Sequence, residues 1–364
     1  MFSGVKNFIS RHKRKFLVTG AIIGGTVITV RYAQRKLREF QEAQTRAFIE
    51  KTKRMQHFES TERTCNQAIL GLSPSLGDEI LKILNSEEIL EKLRKNPENK
   101  IELWEKLKIL SFTRLTAFIY ASSILVVTLR VQLNLLGGYL YKDTVTGEAK
   151  ITDDIRQAYL SLIQHFLKDG INHLVKLIDE KVRMILKKYT LDQKIGLSEV
   201  ENIFWSIQLA VNSDAKDPNS KMAHYVLPTE VNETGVLSKM FLETLDMLES
   251  DDVAILCSNN VSRGFSIAVD SIAEFYTENV KANGALANFT DKPATSKLEL
   301  NEIYNINSVA LHLAKLIPIL NGITSKSFDS NSKPPNLATS LITLFLVSDK
   351  VKILGANVYE VFSV

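Results

Sequence analysis

Four groups of residues have types and spacing that could do chemistry. His165 and His173 lie eight apart on one stretch of helical pattern, which separates them by two turns and about 80° in projection, too far to share a metal ion; they read as solvated or capping side chains. Asp153-Asp154 and Asp251-Asp252 are carboxylate pairs of the kind used for acid and base work, but both stand at helix starts, where the dipole favours negative charge. Cys65 and Cys257 are the only two cysteines, too few and too distant for a disulfide framework or a zinc-ligand pair, which suits a reducing compartment. The fourth group, Lys100, Trp104 and Leu107, falls at i, i+4 and i+7, so a cation, an indole and a leucine share one helical stripe. A tryptophan there is ordinary core. Lys108 after it and Arg94-Lys95 before it instead suggest an indole ringed by cations, suited to an amphipathic partner helix with acidic flanks.

Nothing else announces an active site: the nucleophile elbow, the P-loop, H-E-x-x-H and the dinucleotide fingerprint are all missing from the sequence. The expectation is a protein without catalytic residues, metal, cofactor or small-molecule substrate. An anchored lipid-modifying enzyme, with residues 115–129 lining a substrate tunnel, is the competing reading. It would need a nucleophile or metal beside perturbed titratable groups.

The elements that must position the stripe are helices. Residues are 45% hydrophobic and 24% charged, with 8 Pro and 16 Gly in 364, a globular composition poor in the turn residues that β folds need. Helical spacing runs from Arg35 to about Leu70, with a break at Ser73-Pro74, then Asp78 to Leu84 and Glu87 to Arg94. Lys95-Asn96-Pro97-Glu98 is a turn, and Asn99 with Glu102 makes a capping-box variant for the next helix. That helix holds the charge-free run 115–129, which reads either as a second membrane span or, better for fifteen residues interrupted by Ser122, Ser123 and Thr128, as a core helix buried on all sides. Gly137-Gly138 is expected to end it. A long amphipathic helix follows from Thr152 to about Lys188, then a Ser198/Glu201 capping box for a helix holding Phe204 and Trp205, and a polar surface excursion over 212–235. The last helices fall at about 236–249, 252–280, 299–320 and 337–361, with loops around Asn283-Gly284 and Lys333-Pro334-Pro335.

Charge and hydropathy set the N-terminus apart. The net charge is +4, yet residues 1–40 alone carry nine Lys/Arg against Glu39, leaving the remainder at −4. This basic charge brackets an apolar run instead of covering a folded surface, which speaks against nucleic acid and for membrane phosphates. Phe16 to Val30 is fifteen uncharged residues between Arg11-His12-Lys13-Arg14-Lys15 and Arg31-Tyr32. As a helix it spans about 22 Å against a hydrocarbon core of about 30 Å, a gap that snorkelling Lys15 and Arg31 and interfacial Tyr32 can close. The division expected is a basic targeting segment 1–15, a transmembrane anchor 16–32 and a helical domain 33–364. A cleaved signal, a mitochondrial presequence and a buried core helix fit less well. An anchor on the mitochondrial outer membrane or the endoplasmic reticulum, carrying a helical tether or adaptor, stays open as the alternative.

Several blocks then resemble one family. HFESTERTCN (57–66), IELWEKLKILSFTRLTA (101–117), LRVQLNLLGGYLY (129–141), SRGFS (262–266), LAKLIPILNG (313–322) and ANVYEVF (356–362) are similar, in order and spacing, to stretches of the peroxin-three family. The resemblance implies a non-enzymatic docking factor of the peroxisomal membrane: all-α, a large elongated helical bundle in the cytosol, with one N-terminal transmembrane helix and a short lumenal tail. It implies Arg11, Lys13, Arg14 and Lys15 as targeting residues, contact with peroxisomal membrane lipids, and insertion either directly or by way of the endoplasmic reticulum. Its partner would be the soluble import receptor, peroxin nineteen, whose N-terminal amphipathic helix lies in an apolar groove. Carried over by position, that groove would be Leu93, Lys100, Trp104, Leu107, Leu140 and Lys315, with Leu140 replacing an isoleucine of the animal pattern.

Overall fold

The computed structural model describes residues 13–228, 235–287, 309–325 and 337–364. The chain forms two compact units, Met1–His57 and Phe58–Val364. Helix α1, Lys13–Ile83, supplies the described part of the first unit: Lys13, Arg14 and Lys15 open it, residues 16–32 are helical throughout, and Arg11 lies outside the described residues.

The break expected at Ser73-Pro74 does not occur, because α1 runs through Pro74. Proline frees the carbonyl four residues back, that of Leu70, and Ser73 Oγ donates to that oxygen at 2.9 Å. A serine beside the proline thus replaces the lost backbone donor.

After α2, Glu87–Arg94, a turn with Asn96 at φ +55° leads into α3, Lys100–Thr146. Asparagine tolerates this left-handed backbone because its short polar side chain bonds locally. Asn99 holds the N-cap position of α3 but makes no capping hydrogen bond, so that half of the expected motif is absent. Every residue of α3 from Ser111 to Gln132 is buried. Among the described residues α3 is the one helix apolar and long enough to cross a membrane, and 89% of its apolar window is covered by protein. The run 115–129 is the core of the second unit.

Gly137-Gly138 does not end α3, which continues to a left-handed Gly147 at φ +72°. The pair allows close approach instead: a Cβ on Gly137 would lie 2.6 Å from Thr61 Cγ2, and one on Gly138 would lie 2.8 Å from Phe362 Cβ. Phe362 belongs to α12, Asp349–Ser363, which packs along the second half of α3. Its Gly355 lies where a Cβ would stand 2.8 Å from Arg130 Cδ. Tyr139 stacks on Phe362 at 5.7 Å, and Lys142 Nζ donates to the Val364 carbonyl at 2.6 Å.

The helix expected from Thr152 to Lys188 is jointed. Thr152 accepts from the Ile155 N–H at the start of α4, Asp153–Ser161. A π turn at Phe166–Gly170 then precedes α5, Ile171–Leu186. After strand β1, Lys194–Gly196, α6 spans Leu197–Asn212. Its N-terminus is closed by Glu199, which accepts from the Gly196 N–H at 2.8 Å, not by the Ser198/Glu201 pair expected. Nor is 212–235 all surface. Short helix α7, Met222–Val226, buries Met222, Tyr225 and Val226, and residues 229–234 lie outside the described set.

Helices α8, Val236–Leu248, and α9, Asp251–Ala287, follow; α9 runs through Asn283-Gly284, where a loop was expected. Strand β2, Ala310–His312, pairs antiparallel with β1, setting Ile195 opposite Leu311, and leads into α10, Leu313–Ser325. The stretch 299–308 and the loop at Lys333-Pro334-Pro335 lie outside the described residues. The final helix expected is two, α11, Leu337–Leu346, and α12, parted at Ser348, whose backbone is extended at ψ 123°. Among the described residues the architecture is helical apart from this three-residue β pair, whose strands are too short to carry a periodic signal.

Candidate functional site

The stripe on α3 is longer than its first three members. At 3.6 residues per turn Lys100, Trp104, Leu107, Ser111 and Arg114 fall within about 80° of one another. Their burial is graded. Arg114, Ser111 and Leu107 are buried, at 2%, 0% and 1% exposed, Trp104 is partly buried, and Lys100 is exposed. The inner end is fixed by Arg114, which donates to Asn321 Oδ1 of α10 at 2.8 Å and to the Leu84 carbonyl just beyond α1. The outer end emerges from the core, so the indole stands where protein cover runs out.

Two other elements border this end. Helix α2 packs against α3, yet none of its residues is buried; Ile89, Leu90 and Leu93 are only partly covered. On the other side α10 begins beside the loop after α5: the Ala314 N–H donates to the Leu191 carbonyl at 3.0 Å, and Lys108 Nζ of α3 donates to the Tyr189 carbonyl at 2.8 Å. Lys315 is exposed in the first turn of α10.

Leu93 thus lies on a helix that packs against α3, Lys100, Trp104 and Leu107 share one stripe of α3, and Lys315 lies on the helix whose start is bonded to the same loop as Lys108. The structure does not bring Leu140 to this stripe. Leu140 lies 36 residues beyond Trp104 on the same unbroken helix, about 54 Å away at about 1.5 Å per residue, and it packs against the core near α12. Lys108 is also not part of a cationic rim. It is 2% exposed and held by Glu105 at 2.6 Å as well as by the Tyr189 carbonyl.

Sequence reasoning overlooked Ile101, which is 76% exposed three residues before Trp104 and extends its apolar surface; the i, i+3 spacing in IELW was the available signal. Around this surface Arg94, Lys95, Lys100 and Lys315 are exposed. Lys106 is also exposed but is tied to an acid, and its bond to Glu102 at 2.6 Å holds that carboxylate below its usual range. The arrangement offers partly covered apolar side chains with exposed cations nearby.

The other chemistry candidates separate. His165 faces Asp169 at 3.5 Å, while His173 stacks on His224 at 6.2 Å between ring centres. Among the described residues no three His, Cys, Asp or Glu side chains converge to hold a metal. Cys65 and Cys257 are buried, and burial pushes both thiols up to about 12, the reverse of an activated nucleophile.

The Peroxin-3 family model matches residues 7–100, 94–150 and 138–359. The chain is 36% identical over 386 residues to peroxisomal biogenesis factor 3 of Rattus norvegicus, covering 100% of this chain and 98% of the relative. It is 36% identical over 389 residues, with the same coverage, to the Homo sapiens protein of that name. Peroxisome biogenesis protein 3-1 of Arabidopsis thaliana is 24% identical over 305 residues, 78% of this chain and 85% of the relative. With the family match running nearly end to end and full-length relatives above 30% identity, the chain belongs to the Peroxin-3 family of peroxisome biogenesis factors.

Proposed function

We propose that this biogenesis factor acts by docking the N-terminal amphipathic helix of a peroxin-nineteen-type import receptor in the slot around Trp104, and so enables insertion of peroxisomal membrane proteins. The observation that carries the reading is the uncovered apolar seam between α2 and the first turns of α3. An amphipathic helix with no buried residue stands beside a partly buried indole and an exposed Ile101. Such a seam accepts a third helix through i, i+3, i+4 anchors. Lys100 and Lys315 have no ion-pair partner among the described residues, which favours a visitor with acidic flanks. Leu93, Lys100, Trp104 and Lys315 form the site, with Leu107, buried at 1% exposed, beneath it on the same stripe; Leu140 is left out.

The test is calorimetric titration of the full-length chain in detergent with the receptor's N-terminal helix as a peptide. Trp104→Ala is expected to cost about 2 kcal/mol or more of affinity, roughly thirty-fold or beyond. Equal binding by wild type and variant, with unchanged circular dichroism, removes Trp104 from the site.

The same reading assigns residues 16–32 as a single membrane span, the basic Arg11, Lys13, Arg14 and Lys15 as the lumenal targeting cluster meeting peroxisomal membrane lipids, and residues 33–364 as the cytosolic domain. Helical backbone over 16–32 and basic flanks support it. A fluorescent fusion of residues 1–40 should label peroxisomes; labelling of mitochondria or endoplasmic reticulum alone would instead favour a tether on those membranes.

A further inference from the structure

A recess that shares no residue with the Trp104 stripe lies between α6 and α9. The two helices run antiparallel across it: Gln208 Nε2 donates to Ser262 Oγ at 2.8 Å, and the Phe204 ring lies 5.7 Å from that of Phe265. The cavity is about 400 Å³. The Gln208–Ser262 bond closes one end. The floor is apolar, made by Phe204, Phe265 and Val269, all at least 90% buried. One wall is Trp205, which is 62% exposed, although a large indole left to water is normally covered by something.

The antiparallel register puts Glu201 and Asp270 together at the open end, since moving outward from Gln208 on α6 matches moving outward from Ser262 on α9. Both are exposed, and among the described residues neither has a hydrogen bond or an ion-pair partner. Two carboxylates lining one mouth favour a cationic visitor. No Lys or Arg lines the recess.

We infer that this recess is a subsite for one arginine side chain of a partner protein. An aromatic wall, an apolar floor and a pair of carboxylates match the parts of that side chain in order. The guanidinium plane stacks on the indole and donates bidentate bonds to the carboxylates, while the aliphatic stem lies on the phenylalanine floor. Lysine offers no plane to stack and a quaternary ammonium no hydrogen to donate, so arginine uses more of the surface than either.

The experiment uses the full-length chain in detergent micelles and follows the indole N–H resonances of its two tryptophans, Trp104 serving as internal control. The probe is acetyl-Leu-Arg-Leu-amide, compared with the same tripeptide carrying citrulline, which keeps shape and loses charge, and with choline. The arginine probe should shift the Trp205 signal saturably while leaving that of Trp104 in place. Both the citrulline probe and the doubly substituted Glu201→Gln, Asp270→Asn chain should bind at least tenfold more weakly. Because both carboxylates are exposed, that variant is expected to fold, and circular dichroism checks it. Equal binding of the citrulline probe, an unaffected double variant, tighter binding of choline, or equal shifts at both tryptophans would each overturn the assignment.

Discussion

Gly170→Ala and Gly71→Ala make the same chemical change in helical backbone, and the surroundings demand opposite results. A Cβ on Gly170 would stand 1.9 Å from the carbonyl oxygen and 3.0 Å from the carbonyl carbon of Tyr225. Both belong to the backbone of α7, which is pinned by buried Met222, Tyr225 and Val226 and by the Tyr225 hydroxyl donating to the Lys216 carbonyl at 2.6 Å. An ordinary carbon–oxygen contact is above about 3 Å, so α7 must retreat by more than about 1 Å, an overpacking worth about 1–3 kcal/mol and here at its upper end. Alanine's better helix propensity returns about 1 kcal/mol, leaving about 2 kcal/mol of net destabilisation. At Gly71 nothing lies within 4 Å, so only the propensity gain of about 0.5–1 kcal/mol remains. In a thermal melt, where each kcal/mol moves a large domain by about 2 °C, Gly170→Ala should fall by about 4 °C and Gly71→Ala should rise by about 1–2 °C. A Gly170→Ala protein melting at or above wild type would refute the close approach of α7 to the π turn.

Further expectations follow from other contacts. Leu140→Ala should leave receptor-peptide affinity within twofold while lowering the melting point, because it packs on the core about 54 Å from Trp104; a thirty-fold loss of binding would return it to the site. Arg130→Met strands the carboxylate of Glu62, 2.5 Å from the fully buried Arg130 guanidinium, and should destabilise by about 3–5 kcal/mol; adding Glu62→Leu should recover part of that loss, and denaturant midpoints of the single and double variants decide it. With both thiols raised to about 12 by burial, only about one in ten thousand is thiolate at pH 8. Iodoacetamide should therefore leave the native chain unlabelled over minutes and label two cysteines once it is unfolded, as read by mass spectrometry.

The sequence showed most where the periodic signal is long. The charge-free run 115–129 is a core helix, and the stripe from Lys100 through Leu107 emerges at one end of it, as helical spacing implied. Single residues misled where packing overrode local preference. Pro74 and Gly137-Gly138 are breakers by propensity, but Ser73 replaces a missing donor in one case and Thr61 and Phe362 occupy the space beside the glycines in the other. Lys108 belongs by spacing to a cationic rim, and only the tertiary neighbour Tyr189 reveals why it is buried. Leu140 came from resemblance alone; a continuous α3 sets it apart by simple arithmetic. Trp205 was visible as a residue but not as exposed, since burial of α6 depends on α9, which lies more than forty residues further along the chain.

The greasiest stretch of α3 is tolerable in water only while late-synthesised helices shield it. Gly264 of α9 sits so close that an added Cβ would lie 2.6 Å from Ile119, and 3.3 Å from Leu341 and 3.4 Å from Phe345 of α11; α12 covers the following turns. A premature stop before Leu337 would remove both α11 and α12 after the ribosome had already released the segment they wrap. The shortened product would present cellular sorting machinery with a naked apolar rod long enough to enter a bilayer. Nonsense alleles near the 3′ end are thus expected to yield a mis-inserted or degraded polypeptide instead of a slightly trimmed working one.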